Sequence, residues 1–143
     1  MLIKDVLATK PDSEVITIAP DAGVRELIAQ LAEHNVGALV VSDDGSRVAG
    51  IVSERDVVRR LVDGDAVLEA PVSQIMTSLV ASCGPGDDLD DLMALMTERR
   101  IRHVPVLEDD ALVGVVSIGD VVKSRIGQLE FERDQLDSYV HQT

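Results

Sequence analysis

Three features of the chain predict a mixed α+β fold made of two pseudo-symmetric β-α-β-β-α units packed sheet to sheet. The first is an internal repeat: Val15 to Asp44 aligns without a gap with Val80 to Asp109, placing Pro20 over Pro85, Leu27 over Leu92 and Val41 over Val106. The second is a shared ending. After one dropped residue, Gly50-Ile51-Val52-Ser53-Glu54-Arg55-Asp56 lies over Gly114-Val115-Val116-Ser117-Ile118-Gly119-Asp120. The third is size: a unit of roughly 60 residues buries too little surface to be more than marginal alone, so the copies are expected to share one core. Apolar residues, 45% of the 143, supply it.

Each unit opens on a β-rich segment, Val15-Ile16-Thr17-Ile18 in the first and Val80-Ala81 in the second, which runs into a Pro-containing turn. A helix follows. Val24, Leu27, Ile28 and Leu31, and in the second copy Leu89, Leu92, Met93 and Met96, recur at the spacing of one helix face. Asp21, and Asp87 or Asp88, are its candidate caps. Two strands come next, Val36–Ser42 with Val48–Val52 and Ile101–Leu107 with Leu112–Val116. Asp and Gly between them give the turn geometry. A last helix begins at Ser53 or Ser117. Both helices can cover one sheet face, which leaves the other face to the sister unit.

The division of the chain follows from these elements. Residues 1–62 form the first unit, 63–71 a linker marked by Asp63-Gly64-Asp65 and Pro71, and 72–126 the second unit. A helical extension occupies 127–143. Ile3-Lys4-Asp5-Val6-Leu7 matches Val72-Ser73-Gln74-Ile75-Met76, so each unit has a short helical lead-in. In the extension Val122, Ile126, Leu129, Leu136 and Val140 keep a heptad-like spacing that Arg133 interrupts. This pattern suits docking against a second subunit better than a long independent coiled coil.

Charge narrows the function. Thirteen basic residues against 26 acidic ones give a net charge of −13, a field that repels phosphate backbones and anionic lipid; neither nucleic acid nor a membrane is an expected partner. One Phe, one Tyr and no Trp leave no aromatic platform for stacking bases. No apolar run approaches the ~18 residues of a membrane span, and no secretory leader pattern is present at the N-terminus. The lone Cys83 excludes an internal disulfide and reads as a small packed residue. A cytoplasmic protein is expected.

Ser53-x-x-Asp56 and Ser117-x-x-Asp120 are the strongest local signals. Each fits a capping arrangement, with the Ser bonding an orphan backbone N–H and the acid suiting the helix dipole. The same geometry can hold a ligand, because a helix N-terminus suits anions and a carboxylate accepts two hydrogen bonds from vicinal hydroxyls. Gly50 and Gly114 would permit a close backbone approach or mark a strand bend. Arg99, Arg100, Arg102 and His103 form the cationic corner of an acidic chain. Arg99 and Arg100 end a helix, where cations suit the dipole; Arg102 and His103 start a strand and point to opposite faces unless an irregularity near Pro105 displaces one. There is no Gly-x-Ser-x-Gly elbow, phosphate loop or dinucleotide fingerprint, and no His–carboxylate set has metal-ligand spacing. Neither an enzyme nor a metal site is expected.

Two β-α-β-β-α units ending in Gly-h-h-Ser-x-x-Asp-h-h (h apolar), together with Arg102-His103-Val104-Pro105-Val106 and the lead-in Val72-x-x-Ile75-Met76-Thr77, resemble a tandem cystathionine-β-synthase (CBS) domain pair, or Bateman module. The resemblance covers residues 1 to about 126 and is with the small stand-alone bacterial members. It implies non-catalytic, regulatory binding of an adenine nucleotide in two clefts between the repeats. AMP is foremost; ADP, ATP, NAD(H) and S-adenosylmethionine are the alternatives. Carried over, Asp56 and Asp120 would hold ribose hydroxyls, with Ser53 and Ser117 on ribose or phosphate. Arg102 and His103 would reach phosphate. Cleft one would combine Ser53 and Asp56 with Arg102, His103, Pro105 and the base-binding segment Val80, Ala81 and Ser82. Cleft two would combine Ser117 and Asp120 with Ile16, Thr17 and Ile18 and with Gly37, Ala38 and Leu39. Gly37-Ala38 stands where the other copy has Arg102-His103, so cleft two lacks that cationic pair; Arg55 is either a surface residue or reaches across to compensate. Cleft one is therefore expected to be the tighter site. The family further implies a homodimer and a regulated protein partner that the sequence does not name. A ligand-free interaction module is the alternative.

Overall fold

The structure, a computed structural model, describes residues 1–10, 15–78 and 80–141. Residues 142 and 143 of the expected extension lie outside the described residues. In chain order the elements are α1 (Ile3–Ala8), β1 (Thr17–Ile18), α2 (Val24–His34), β2 (Ala38–Val41), β3 (Gly50–Ser53) and α3 (Glu54–Leu61). Two 3₁₀ turns follow, Asp65–Glu69 and Val72–Gln74. The second unit then runs α4 (Leu89–Arg99), β4 (His103–Glu108), β5 (Ala111–Ser117) and α5 (Ile118–His141).

The repeat is closest in the first long helix of each unit. α2 and α4 each have 11 residues and begin at equivalent positions. Their C-caps, Asn35 and Arg100, share the left-handed conformation at φ 53° and 54°. Val24, Leu27 and Leu31 are buried on α2, as are Leu89, Leu92 and Met96 on α4. Ile28, expected on that face, is 40% exposed. Asp88 caps α4 by accepting from the Asp90 amide at 3.1 Å. The cap position of α2 falls on Gly23, with no side-chain bond, so Asp21 is not the cap.

The first sheet has the order β1-β2-β3, with β1 parallel and β3 antiparallel to β2. In the second unit Val80-Ala81 forms no strand. Its expected pairing contracts to a single parallel bridge, Cys83 to Val106. That bridge is equivalent to the Ile18–Val41 pair of the first sheet. β4 and β5 form an antiparallel hairpin through Asp109-Asp110, both at positive φ (52° and 63°). Such a two-residue turn matches the twist of the strands it joins. The irregularity expected near Pro105 falls between Val106 and Leu107, where the register shifts.

Two cores result rather than the single shared one expected from unit size, and the lead-ins are exchanged between them. Ile3 and Val6 of α1 pack with Leu89, Leu92, Met96, Val104, Val106, Val116 and Val121 of the second unit. Val72 and Ile75 pack instead with Ile18, Val24, Leu27, Leu39 and Val52 of the first. Backbone bonds repeat the exchange in both copies. The Ile3 amide donates to the Asp87 carbonyl (2.9 Å), as the Val72 amide does to Ala22 (2.8 Å). The Leu89 amide donates to Met1 (2.9 Å), as Val24 does to Ala70 (3.0 Å). Each unit is thus completed by the segment that precedes the other, which ties the two into one body.

The motif glycines serve this exchange. A β-carbon on Gly50 would lie 2.6 Å from the Thr77 carbonyl oxygen, and one on Gly114 would lie 2.8 Å from Leu7 Cδ2. The close approach is made by the lead-in, Met76-Thr77 in one copy and Leu7 in the other.

Candidate functional site

Where β3 runs into α3, Ser53 and Asp56 close a reciprocal capping box. The Ser53 amide donates to Asp56 Oδ2 (2.8 Å), the Ser53 hydroxyl donates to the same oxygen (3.0 Å), and the Asp56 amide donates to Ser53 Oγ (3.4 Å). Ser117 and Asp120 repeat it at the start of α5, with the Ser117 amide on Asp120 Oδ2 (2.9 Å) and the Asp120 amide on Ser117 Oγ (3.1 Å). The capping role is therefore present in both copies. Among the described residues all the bonds to these two carboxylates fall on Oδ2, which leaves each Oδ1 able to accept from a ligand.

Both boxes open onto a cleft lined by the sister unit. Cleft one, about 320 Å³, brings Ser53, Asp56 and Glu54 together with Arg100, Arg102 and His103. Cleft two, about 470 Å³, brings Ser117 and Asp120 together with Ile16, Gly37, Ala38 and Leu39. The units meet between the two. A β-carbon on Gly37 would sit 3.6 Å from His103 Cε1 and 3.7 Å from Glu54 Oε1, and the half-buried His103 ring lines both clefts. Burial holds His103 below the usual imidazole range; Asp120 and Glu54 oppose that shift, whereas Lys10 and Arg102 add to it.

Several candidates fall elsewhere. Ile18 is 3% exposed and belongs to the first core, because its position on β1 turns it away from the sister unit. Thr17 is not among the described residues lining cleft two. Pro105 is buried in β4, its carbonyl accepting the Cys83 amide at 3.1 Å. Ser82 lines a separate shallow depression with Cys83, Gly84, Asp87 and the Asp109-Asp110 turn. Val80 and Ala81 are not among the described lining residues of either cleft. Arg55 does not reach across: it stands on the first turn of α3 and lines the cleft of its own motif, with Arg59 one turn further.

Cleft one therefore carries four guanidinium groups against the carboxylates of Glu54 and Asp56, a local excess of positive charge in a chain of net −13. Arg100, read from the sequence as a dipole partner of its helix, belongs to this group. Cleft two holds a cation the sequence did not single out. Lys10 Nζ lies 3.1 Å from Asp120 Oδ2 and donates to the Val115 carbonyl at 2.7 Å. Desolvation raises the Asp120 pKa; the Ser117 amide and Lys10 outweigh it, so the carboxyl sits below its usual range. Apolar surface for a flat ring comes from Val15, Ile16, Val36 and Leu39 in cleft two, and from Ala38, Ile51 and Ile101 in cleft one. Among the described residues no group of three or more His, Cys, Asp or Glu side chains could hold a metal ion, and no helix is long and apolar enough to cross a membrane.

These features have counterparts in known proteins. The family model for the CBS domain matches residues 3–63 and again 72–127. The CBS domain-containing protein CBSX3, mitochondrial, of Arabidopsis thaliana is 36% identical over 146 residues, covering 96% of this chain and 71% of that protein. A CBS-domain containing protein from Agrobacterium tumefaciens superposes with a TM-score of 0.83 at 43% identity, over 87% of this chain and 99% of its own. The CBS domain pair of protein MJ0100, solved in complex with 5′-methylthioadenosine and S-adenosyl-L-methionine, superposes with a TM-score of 0.78 at 26% identity, over 90% and 98% of the two chains. Two matched segments and a repeated fold that superposes on solved CBS-domain proteins agree: the chain belongs to the CBS domain family, as a tandem CBS pair.

Proposed function

We propose that the chain is a non-catalytic sensor that binds adenosine-containing nucleotides in its two inter-repeat clefts and passes their occupancy to a partner protein. AMP is the first ligand to consider; ATP and NAD(H) can use the same contacts. One observation carries this reading. Each Ser-x-x-Asp box presents a carboxylate to a cleft whose opposite wall comes from the sister repeat, so one ligand contacts both units. Asp56 or Asp120 would accept from the ribose hydroxyls, aliphatic side chains would enclose the base, and cations would meet phosphate. Cleft one, with Arg55, Arg59, Arg100 and Arg102, suits the more anionic ligand. The adenosine compounds held by the MJ0100 domain pair support the ligand class.

A ligand bridging the repeats acts as a signal if it binds one arrangement of the pair better than another. We further propose a homodimer formed through the helices: on α5, Leu129, Phe131, Leu136 and Tyr139 are each at least half exposed. The cytoplasm is the proposed compartment, consistent with a free Cys83. Thermal unfolding with and without AMP tests the core of this proposal. At a hundred times its dissociation constant a ligand adds about 2.7 kcal/mol, roughly 8 °C for a chain of this size. No shift with AMP, ATP or NAD(H) would favour the ligand-free interaction module.

A further inference from the structure

Besides their different cations, the two clefts differ at the carboxylate itself. In the first copy the Ile51 carbonyl accepts a backbone amide, that of Thr77, at 2.9 Å. Its counterpart Val115 accepts the Lys10 ammonium at 2.7 Å, and the same ammonium reaches Asp120 Oδ2 at 3.1 Å. The Asp56 carboxylate has no such partner among the described residues; its bonds come from the amide and hydroxyl of Ser53. Lys10 thus occupies cleft two beside the carboxylate that a ribose would need, and its side chain is 32% exposed.

Resting on the adenosine reading above, we propose that Lys10 determines the specificity of cleft two, admitting adenosine ligands that carry a 5′ negative charge and disfavouring neutral or cationic ones. Lys10 and Asp120 balance each other at 3.1 Å. A ligand diol that takes Asp120 draws away the counter-charge of Lys10. A 5′-phosphate supplies a replacement, and the flexible lysine stem can turn its ammonium from carboxylate to phosphate. A 5′-thioether brings no charge and leaves the ammonium unpaired in a partly desolvated site; a sulfonium adds repulsion. The exchange changes partners without changing the number of ion pairs, so it favours phosphate by about tenfold, as expected for one charge-assisted contact near a surface.

The test uses calorimetry with AMP and 5′-methylthioadenosine, which share the base and ribose, on protein carrying Asp56→Ala to weaken cleft one. That protein should bind AMP at least tenfold more tightly than the thioether. Adding Lys10→Met should bring the ratio to one or below, through weaker AMP binding and stronger thioether binding, and Lys10→Arg should restore the preference. An unchanged ratio in Lys10→Met overturns the role of Lys10 and leaves the adenosine reading standing. Binding to the wild-type chain but not to Asp56→Ala protein removes cleft two as a nucleotide site, and Lys10 with it. Failure of the wild-type chain to bind either compound defeats the adenosine reading itself.

Discussion

Replacing Gly50 by Ala tests the exchange of lead-ins that joins the two repeats. The new β-carbon would meet the Thr77 carbonyl oxygen at 2.6 Å and Met76 Sδ at 2.9 Å. Met76 can rotate, but the Thr77 backbone is held on both sides: its carbonyl accepts the Ile51 amide at 3.0 Å and its amide donates to the Ile51 carbonyl at 2.9 Å. Relieving the overlap must move that bridge. Overpacking costs about 1–3 kcal/mol, and a weakened backbone hydrogen bond adds about 1 kcal/mol. The stiffer unfolded chain of Ala returns about 0.4–1 kcal/mol. The net loss is roughly 1.5–3 kcal/mol, or about 5–9 °C in Tm. Gly114→Ala is the internal control. There the β-carbon meets only the side chain of Leu7, at 2.8 Å from Cδ2 and 3.1 Å from Cδ1, and the leucine end can turn aside, so the loss should stay below about 1 kcal/mol. Urea unfolding of the two variants beside the wild-type chain reads the difference. Equal stability, or a larger loss from Gly114→Ala, would show that the Thr77 backbone does not constrain position 50.

Stability should also depend on His103 as the medium is acidified. Burial lowers its folded pKa below the ordinary 6.5, so below pH 6.5 the unfolded chain takes up a proton that the folded chain does not. The contribution is complete above pH 6.5 and is lost as pH falls through the folded value, at no more than about 1.4 kcal/mol per pH unit. His103→Gln should flatten the fall in urea midpoint between pH 7.5 and 5.5, and an unchanged slope would place the titration elsewhere. Removing residues 127–143 deletes the exposed Leu129, Phe131, Leu136 and Tyr139 while leaving the buried Val121 and Ser124 of α5 in place. Light scattering should then report a smaller assembly with the fold retained by circular dichroism; an unchanged mass would exclude the extension as the dimer contact.

How much of this was legible in the sequence depends on the range of the interaction. The helix faces were readable because Leu27 and Leu92, or Leu31 and Met96, recur at a local period. Ile28 has the same spacing and is exposed, since the period marks a face but not its width. Val80 and Ala81 align with Val15 and Ile16, which lie outside β1; the counterparts of Thr17-Ile18 are Ser82-Cys83, and there the pairing reduces to Cys83 with Val106. Strand formation depends on neighbours that propensity does not encode. The exchange of lead-ins was invisible for a related reason: Ile3, Val6, Val72 and Ile75 announce apolar faces without saying which core receives them. Ser53, Asp56, Ser117 and Asp120 stood out because the motif recurs, and the structure sets both copies beside a cleft. Lys10 occurs once, carries no motif, and meets Asp120 across more than a hundred residues of chain. The sequence leaves Arg55 open between a surface residue and one reaching across; its register on α3 places it at the cleft that Asp56 lines.

The most direct measurement is calorimetric titration of AMP into the wild-type chain, Asp56→Ala, Asp120→Ala and the double variant. Binding to the wild-type chain is expected, with a selective loss of roughly tenfold to a hundredfold at the site whose carboxylate is removed, the larger loss for the tightest site in Asp56→Ala, and a loss of that size at both sites in the double variant. Undiminished AMP binding by the double variant would contradict this.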